Sequence, residues 1–244
     1  QRQMCIRDSG YFMGSTAGLE RLDLIIPRVL PNIDVLMGTR GAIRSCVDPA
    51  LAAGKGIALR ATSGSSMVQD DLSHEILAVD AEEACRMNAD CLAVQTFIGG
   101  DGQLSSLENL SKAVNFGVRY SIPVMGVVAV GKEMERTPKF FKLATRILAE
   151  LGANIIKTYY CEDFEEIVAA CPVPIVVAGG KKLAEDEALT LAYQSIRDGA
   201  NGVDMGRNIF QSNNPEAMSK AINKIVHEKF TDKEAFEYFK ELTK

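Results

Sequence analysis

Ala153-Asn154-Ile155-Ile156-Lys157-Thr158-Tyr159-Tyr160 is a short apolar run that carries a lysine near its end. Two similar runs follow it, and both end in glycine: Val176-Val177-Ala178-Gly179-Gly180 and Gly202-Val203-Asp204-Met205-Gly206-Arg207. Runs of this length without polar alternation are typical of parallel strands that are buried on both faces. Three of them in succession predict a parallel α/β fold.

The order of these runs favours a (β/α)8 TIM barrel. In that fold the functional residues lie at the carboxyl ends of the strands, and the loops after the last two strands often bind phosphate. Here the lysine strand is third from the end, and the two glycine-rich strands are the last two. A buried lysine loses hydration as a cation, so its pKa falls and its free amine can attack a ketone to form an imine.

The residues that follow the last two strands are suited to an anion. Gly179, Gly180 and Gly206 let backbone N–H groups approach a phosphate closely, and Arg207 adds a cationic fork. Each feature also has a plainer interpretation. A strand-end lysine is most often exposed to solvent, and such glycines can serve only tight turns. A turn alone does not require an arginine, which favours phosphate binding at Gly206-Arg207.

Strands and helices alternate along the rest of the chain, which implies right-handed βαβ crossovers. Seven strands are predicted: Val35–Thr39, Ile57–Ala61, Cys91–Ile98, Pro123–Val130, Asn154–Tyr160, Pro174–Ala178 and Gly202–Met205. Amphipathic helices are predicted between them: Leu19–Leu30, His74–Asn88, Ser106–Phe116, Pro138–Leu151, Glu185–Asp198 and Pro215–Val226, with an extra surface helix over Asp232–Lys244. Ser105 and Ser106 resemble a helix start, and Gly117, Gly152 and Gly199 resemble helix ends.

The eighth strand should precede Gly10, but residues 1–9 do not resemble a barrel strand. We therefore expect a foreign or truncated start at residues 1–9, with residues 10–244 forming a single barrel domain that lacks its native first strand. Met4-Cys5-Ile6 is at best a substitute that is too short to cover both neighbouring edges. A parallel barrel removes its sheet edges only by closing fully.

Composition narrows the class of protein. The length of 244 residues is close to the roughly 250 residues of a typical barrel. Hydrophobic residues make up 47% of the chain. The net charge of −5, without a dense basic run, argues against nucleic acid. No apolar stretch is long enough to span a bilayer, and the six cysteines and two histidines lack metal-site spacing. We expect a cytoplasmic protein with reduced thiols, no membrane partner and no metal.

Motifs at both ends of the chain resemble the class I aldolase family that includes archaeal-type fructose-bisphosphate aldolase. The early ones are Gly10-Tyr11-Phe12, Gly18-Leu19-Glu20-Arg21, Val35-Leu36-Met37 and Thr39-Arg40-Gly41. The late ones are Lys157-Thr158-Tyr159-Tyr160, Cys171-Pro172-Val173-Pro174-Ile175, Ala178-Gly179-Gly180-Lys181-Lys182 and Gly206-Arg207-Asn208-Ile209-Phe210-Gln211. The resemblance covers nearly all of the chain after residue 9.

The resemblance implies roles for individual residues. Lys157 corresponds to the Schiff-base lysine of the family, and Gly179, Gly180, Gly206 and Arg207 correspond to its phosphate-binding residues.

The proton-transfer residues of the family are matched less closely. Asp8 falls where the family has an aspartate, although Ser9 replaces the histidine that follows it, and Phe97 stands where the family tends to carry a tyrosine. Phenylalanine cannot transfer a proton. The other candidates for proton transfer are Lys132 and Tyr159. Lys132 lies in a Val-Gly-Lys segment that is similar to one in the family, although it can equally be an exposed lysine in a loop.

The resemblance also implies an activity and partners. Asp204-Met205 before Gly206 favours a thiolase branch, in which an acetyl group passes from a phosphorylated ketone to coenzyme A as co-substrate, with no bound cofactor. The alternatives are an aldolase or a transaldolase-like enzyme, and a non-catalytic barrel that binds phosphorylated metabolites. The family further implies a homo-oligomer, such as a decamer.

Overall fold

The computed structural model describes residues 3–7, 21–64, 70–130 and 136–244. These residues form two compact units. The first unit comprises residues 3–7, 21–56 and 176–244, and the second comprises the described residues between 57 and 175. No helix in the described part of the chain is long and apolar enough to cross a membrane.

Ten strands and ten α-helices make up the described structure. The strands are β1 Gln3–Arg7, β2 Val35–Thr39, β3 Gly56–Arg60, β4 Thr62–Ser63, β5 Ile76–Leu77, β6 Cys91–Thr96, β7 Val124–Val128, β8 Ile155–Tyr159, β9 Ile175–Ala178 and β10 Gly202–Asp204. The helices are α1 Leu22–Val29, α2 Arg40–Cys46, α3 Ala81–Arg86, α4 Gln103–Tyr120, α5 Pro138–Glu150, α6 Phe164–Ala170, α7 Glu185–Arg197, α8 Gly206–Phe210, α9 Pro215–Glu228 and α10 Asp232–Leu242.

The strand order confirms the predicted (β/α)8 fold class. Eight parallel strands follow one another as β1, β2, β3, β6, β7, β8, β9 and β10 in a closed barrel, while β4 and β5 form a separate antiparallel pair. All six residues of β6 and all five of β7 are buried. Their burial on both faces explains why these strands read as continuous apolar runs.

The expectation that the Met4-Cys5-Ile6 segment is too short to pair with both neighbouring strands is wrong. Residues Gln3–Cys5 pair with β10, and residues Cys5–Arg7 pair with β2. Five residues suffice because barrel strands are staggered, so each neighbour needs only part of the strand. The domain boundary after residue 9 stays a prediction, because residues 8–20 lie outside the described structure.

The side chain of Asp34 anchors β1 to the first unit. Its Oδ2 accepts a hydrogen bond from the backbone N–H of Met4 at 2.6 Å and lies 2.9 Å from Nε2 of His227 on α9. The backbone N–H of Asp34 donates in turn to the carbonyl of Met4 at 3.0 Å. Met4 is fully buried at this point. The strand is therefore held by specific polar contacts as well as by its register.

The other strand predictions agree with the structure, but one helix does not. The segment His74–Asn88 contains β5, and its helix begins only at Ala81. Asp80 sets this start, because its side chain accepts a hydrogen bond from the backbone N–H of Glu83 at 2.7 Å. Three short helices, α2, α6 and α8, were not predicted.

Two signals at the ends of α4 were misread. The helix begins at Gln103, upstream of the two serines, and it ends at Ser121, which is left-handed with φ 57°. Gly117 lies inside the helix, where a Cβ would come within 2.4 Å of the carbonyl oxygen of Ile122. Close packing rather than chain reversal requires this glycine. Gly152 and Gly199 do end helices, with φ of 98° and 102°.

Candidate active site

Lys157 lies within the apolar layer of the second unit. It is 2% exposed, between Ile156 and Thr158, which are fully buried. The exposed reading of this lysine therefore does not hold in the structure. Burial of an amine disfavours its charged form, which is the condition that a nucleophilic lysine needs.

The sheet register shows which way the Lys157 side chain projects. A Cβ on Gly126 would lie 2.8 Å from the side chain of Leu148, so Gly126 faces helix α5. Val127, the next residue, must face the opposite side of the sheet. Lys157 is the Cα partner of Val127 and shares that face. The amine therefore projects away from the surrounding helix layer.

A buried polar cluster lies on neighbouring strands of the same unit. Nη2 of Arg60 is 2.5 Å from Oε1 of Glu75 and 3.3 Å from Oε1 of Gln95, and its Nε donates to the carbonyl of Thr62 at 3.0 Å. Arg60, Glu75 and Gln95 are each at most 6% exposed. The amide of Asn109 donates to the backbone carbonyl of Glu75 at 2.8 Å and secures that residue.

In the first unit, the side chain of Asn208 joins the loops that follow β9 and β10. Its Nδ2 donates to the carbonyl of Gly179 at 2.8 Å, and its Oδ1 accepts from the backbone N–H of Leu183 at 2.8 Å. The backbone N–H of Gly179 donates to the carbonyl of Asp204 at 3.2 Å. The two glycine-rich loops are thus brought into direct contact, with the half-buried Arg207 beside the bridging asparagine.

Glycine is required where these loops meet. A Cβ on Gly179 would lie 2.9 Å from Nδ2 of Asn208 and 3.1 Å from Cα of Met205. Gly180 adopts a left-handed backbone with φ 67°. Gly179 therefore permits the close approach of the two loops. Lys182 pairs with Glu185 at 3.2 Å, whereas Lys181 is exposed.

Comparison with known proteins identifies the family. The model of the DeoC/LacD family aldolases matches residues 29–212. This chain belongs to that aldolase family.

Several relatives are similar to this chain over most of their length. The 3-hydroxy-5-phosphonooxypentane-2,4-dione thiolase of Enterobacter sp. (strain 638) is 51% identical over 235 residues, which cover 96% of this chain and 79% of that protein. The enzyme of the same name from Photorhabdus laumondii subsp. laumondii is 52% identical, and the match covers 95% of this chain and 79% of that protein. The resemblance to class I aldolases is thereby confirmed.

Solved structures of aldolases share the fold at lower identity. An archaeal fructose 1,6-bisphosphate aldolase superposes with a TM-score of 0.83 at 22% identity and covers 93% of this chain and 94% of its own. A fructose-bisphosphate aldolase from Slackia heliotrinireducens superposes with a TM-score of 0.82 at 20% identity, and the match covers 99% of this chain and 86% of that protein. These likenesses show that the barrel is the aldolase fold.

Two of the residues that the family resemblance singled out lie outside the described structure. These are Asp8 and Lys132, so their roles stay predictions. Tyr159, two residues after Lys157 on β8, is described, and the guanidinium carbon of Arg136 lies 4.3 Å above the centre of its ring. Phe97 is buried and follows β6 directly. Of the candidates for proton transfer, only Tyr159 can be placed.

Cys161, which follows β8, is poorly suited to act as a nucleophile. Burial raises the pKa of its thiol, and the negative charges of Asp163 and Glu162 raise it further. The reactive form of cysteine is the thiolate, which a raised pKa disfavours. The environment of Cys161 therefore does not favour a nucleophilic role for its thiol.

Arg60, Glu75, Gln95 and Asn208 were missed in the sequence. Arg60 carried a usable signal, since it stands at the end of an otherwise apolar strand, as Lys157 does. Gln95 likewise interrupts the apolar run of β6. Glu75 carried none, because it lies in His74–Asn88, where the sequence pattern predicts a helix. Asn208 lies within the quoted family motif but is separated from its partner Gly179 by 29 residues.

Proposed function

We propose that this chain is a Schiff-base enzyme that acts on a phosphorylated ketone, and specifically a 3-hydroxy-5-phosphonooxypentane-2,4-dione thiolase that transfers an acetyl group to coenzyme A. The single observation that carries the chemistry is the buried Lys157 on β8 of an aldolase barrel. The names of relatives that are about half identical over nearly the whole chain support the substrate.

Phosphate binding belongs to the loops after β9 and β10. Gly179, Gly180 and Gly206 would offer backbone N–H groups to the phosphate, and Arg207 would add a charge-assisted hydrogen bond. Asn208 supports this assignment, because it fixes the two loops in contact. Anchoring the phosphate holds the ketone of the substrate in a fixed orientation, which converts a bimolecular attack into an effectively intramolecular one.

The reaction then follows from imine chemistry. The amine of Lys157 adds to the ketone next to the phosphate-bearing carbon, and loss of water gives an imine. The thiol sulfur of coenzyme A attacks the other carbonyl carbon, and the bond from that carbon to the hydroxyl-bearing carbon breaks. Its electron pair moves into the imine, the resulting enamine takes up a proton, and hydrolysis releases a phosphorylated three-carbon ketone and acetyl-coenzyme A.

Proton transfer in this scheme needs a titratable group. Tyr159 lies on the same strand as Lys157, two residues away, and its ring packs against Phe141 of α5 with the ring centres 6.3 Å apart. Lys132 and Asp8 are further candidates on family resemblance. We further propose a homo-oligomer, such as a decamer, in the cytoplasm.

An aldolase activity on fructose bisphosphate or a related transaldolase-like activity is the second candidate function. The observation that favours it is the close superposition on fructose-bisphosphate aldolases. Both chemistries share the imine and the phosphate anchor. They differ in whether the released carbon fragment is captured by a thiol.

Dependence on coenzyme A separates the candidates. The purified protein is incubated with the five-carbon diketone phosphate, with and without coenzyme A, and acetyl-coenzyme A is measured. The proposal predicts product only when coenzyme A is present. Cleavage of fructose 1,6-bisphosphate at a comparable rate without coenzyme A would establish the aldolase instead. Tight binding of phosphorylated ketones without any turnover would mean a binding protein.

A further inference from the structure

The strand register of the second unit aligns Gln95 with Lys157. Gln95 is the Cα partner of Val127 on β7, and Val127 is the Cα partner of Lys157 on β8. Both side chains therefore project from the face that turns away from α5. Adjacent strands lie about 4.8 Å apart, so the two Cα atoms are about 10 Å from each other. Two long side chains at this spacing can contact the same small molecule.

Arg60 determines the orientation of the Gln95 side-chain amide. A guanidinium group has only donors, so the amide atom 3.3 Å from Nη2 of Arg60 must be the oxygen. The NH2 group of Gln95, with its two donors, is thereby turned away from Arg60. The backbone of the same residue is fixed too, because its N–H donates to Oγ1 of Thr62 at 3.0 Å.

Arg60 is itself held by a buried ion pair with Glu75. The two side chains are 5% and 0% exposed. A buried ion pair gains little stability, because desolvation of both charges offsets their attraction. Buried charged groups cluster at functional sites, where they orient the side chains that do the chemistry. The pair is therefore better explained by the side chain that it orients than by stability.

We propose that Gln95 donates a hydrogen bond to the second carbonyl oxygen of the substrate, the one that does not react with Lys157, and that Arg60, held by Glu75, is a positioning residue for Gln95. This inference rests on the proposed function. It makes Gln95 a specificity determinant for phosphorylated ketones that carry a second carbonyl group. The five-carbon diketone phosphate has such a group, whereas dihydroxyacetone phosphate has none.

The test compares these two substrates in Gln95→Leu and Gln95→Glu. Both replacements remove the amide donors, and Gln95→Glu keeps the shape of the side chain. We expect kcat/KM for the diketone with coenzyme A to fall roughly ten- to a hundredfold, as for other hydrogen bonds whose loss leaves a buried polar partner. Imine trapped with borohydride from dihydroxyacetone phosphate should keep its wild-type yield.

Thr96→Val is the matched control. Thr96 is fully buried on the same strand as Gln95 but faces the opposite side, where its hydroxyl donates to the carbonyl of Val127 at 3.0 Å. We expect a lower melting temperature in this variant, with an unchanged ratio of activity on the two substrates. A loss of stability alone can thus be told apart from a loss of recognition.

Arg60→Lys tests the positioning role. Lysine retains the charge that Glu75 requires but not the planar fork that orients Gln95. We expect a partial loss on the diketone in the single variant, and no further loss when Arg60→Lys is added to Gln95→Leu. Independent, additive losses would refute the positioning role.

Two results would overturn the assignment of Gln95. One is an equal loss of diketone turnover and of imine with dihydroxyacetone phosphate, which would make Gln95 structural. The other is wild-type kinetics on both substrates. A wild-type protein that traps neither ketone as an imine would instead refute the proposed function itself, and this inference with it.

Discussion

At the scale of single residues, the two basic side chains of the proposed mechanism differ in their burial. Lys157 is 2% exposed, whereas Arg207 is half-buried. A nucleophilic amine gains from exclusion of water, since its neutral form is then favoured. A phosphate-binding arginine must instead remain accessible to its ligand, and its planar guanidinium group matches the geometry of phosphate oxygens. The difference in exposure matches the difference in role.

Replacing Arg207 with alanine should weaken binding of phosphorylated ligands selectively. A hydrogen bond between charged groups contributes about 1.5–3 kcal/mol, which corresponds to about a ten- to hundredfold change in affinity. Calorimetric titration with dihydroxyacetone phosphate and with unphosphorylated dihydroxyacetone measures the difference. Lys181→Ala, an exposed neighbour of the loop after β9, is the control and should stay near wild type. Equal losses for both ligands in Arg207→Ala would show that the arginine is structural.

The residue scale also shows what a single sequence can reveal. Lys157 was identifiable because a charge in an apolar run is chemically unusual and the glycine-rich strands follow it. Arg60 has the same kind of placement, but its significance comes from Glu75 and Gln95, 15 and 35 residues away. Contacts of this sort depend on how strands are paired in three dimensions. Local patterns predict which residues are unusual but not which ones meet.

At the scale of elements, the loops after β9 and β10 act as one structural feature. The bridge of Asn208 to Gly179 and Leu183 ties them together, and Asn208 is fully buried. Loss of a buried side chain that satisfies two backbone groups leaves both groups without that partner. The loops would then separate, and their backbone N–H groups would lose the arrangement that we propose for binding phosphate.

Asn208→Ala should therefore weaken the proposed phosphate binding, although Asn208 is not among the residues proposed to contact the phosphate. We expect about tenfold weaker binding of dihydroxyacetone phosphate, in line with a cost of about 1–3 kcal/mol for an unsatisfied buried group. Asn223→Ala is a matched control, because Asn223 also donates to a backbone carbonyl, that of Asn32 at 3.0 Å, away from these loops. Unchanged ligand affinity in Asn208→Ala, measured by calorimetry, would contradict this role.

Element prediction succeeded or failed according to how local the signal was. The run Val35–Thr39 was predicted with its observed bounds, since a buried parallel strand is readable from composition alone. The helix predicted over His74–Asn88 was wrong, because β5 pairs with a strand that lies earlier in the chain. The first strand was missed for the same reason. Its identity comes from pairing with β2 and β10 rather than from its own residues.

At the scale of the whole molecule, closure of the barrel depends on how firmly β1 is held. The side chain of Asp34 accepts a hydrogen bond from the backbone N–H of Met4, which is fully buried, and contacts His227. It is the side chain that connects β1 to the start of β2 and to α9. An unpaired strand edge would favour association with other chains, so this anchor also protects against aggregation.

Asp34→Ala should lower the stability of the folded protein. Removing the acceptor of a buried N–H costs about 1–3 kcal/mol, or about 2–4 °C in Tm per kcal/mol for a chain of this size. Asp34→Asn, which keeps an acceptor oxygen, should recover most of the loss in thermal unfolding. Asp48→Ala, which removes an exposed turn contact to Ala50, should change little. An Asp34→Ala variant as stable as wild type would show that β1 is held by its register alone.

The central claim is that Lys157 forms an imine with a phosphorylated ketone. The most direct measurement is to incubate the protein with dihydroxyacetone phosphate, reduce it with borohydride and map the adduct by mass spectrometry. We predict a single reduced adduct on Lys157, absent from Lys157→Met. An adduct on Lys132 or Lys181 with Lys157 unmodified, or no adduct at all, would contradict it.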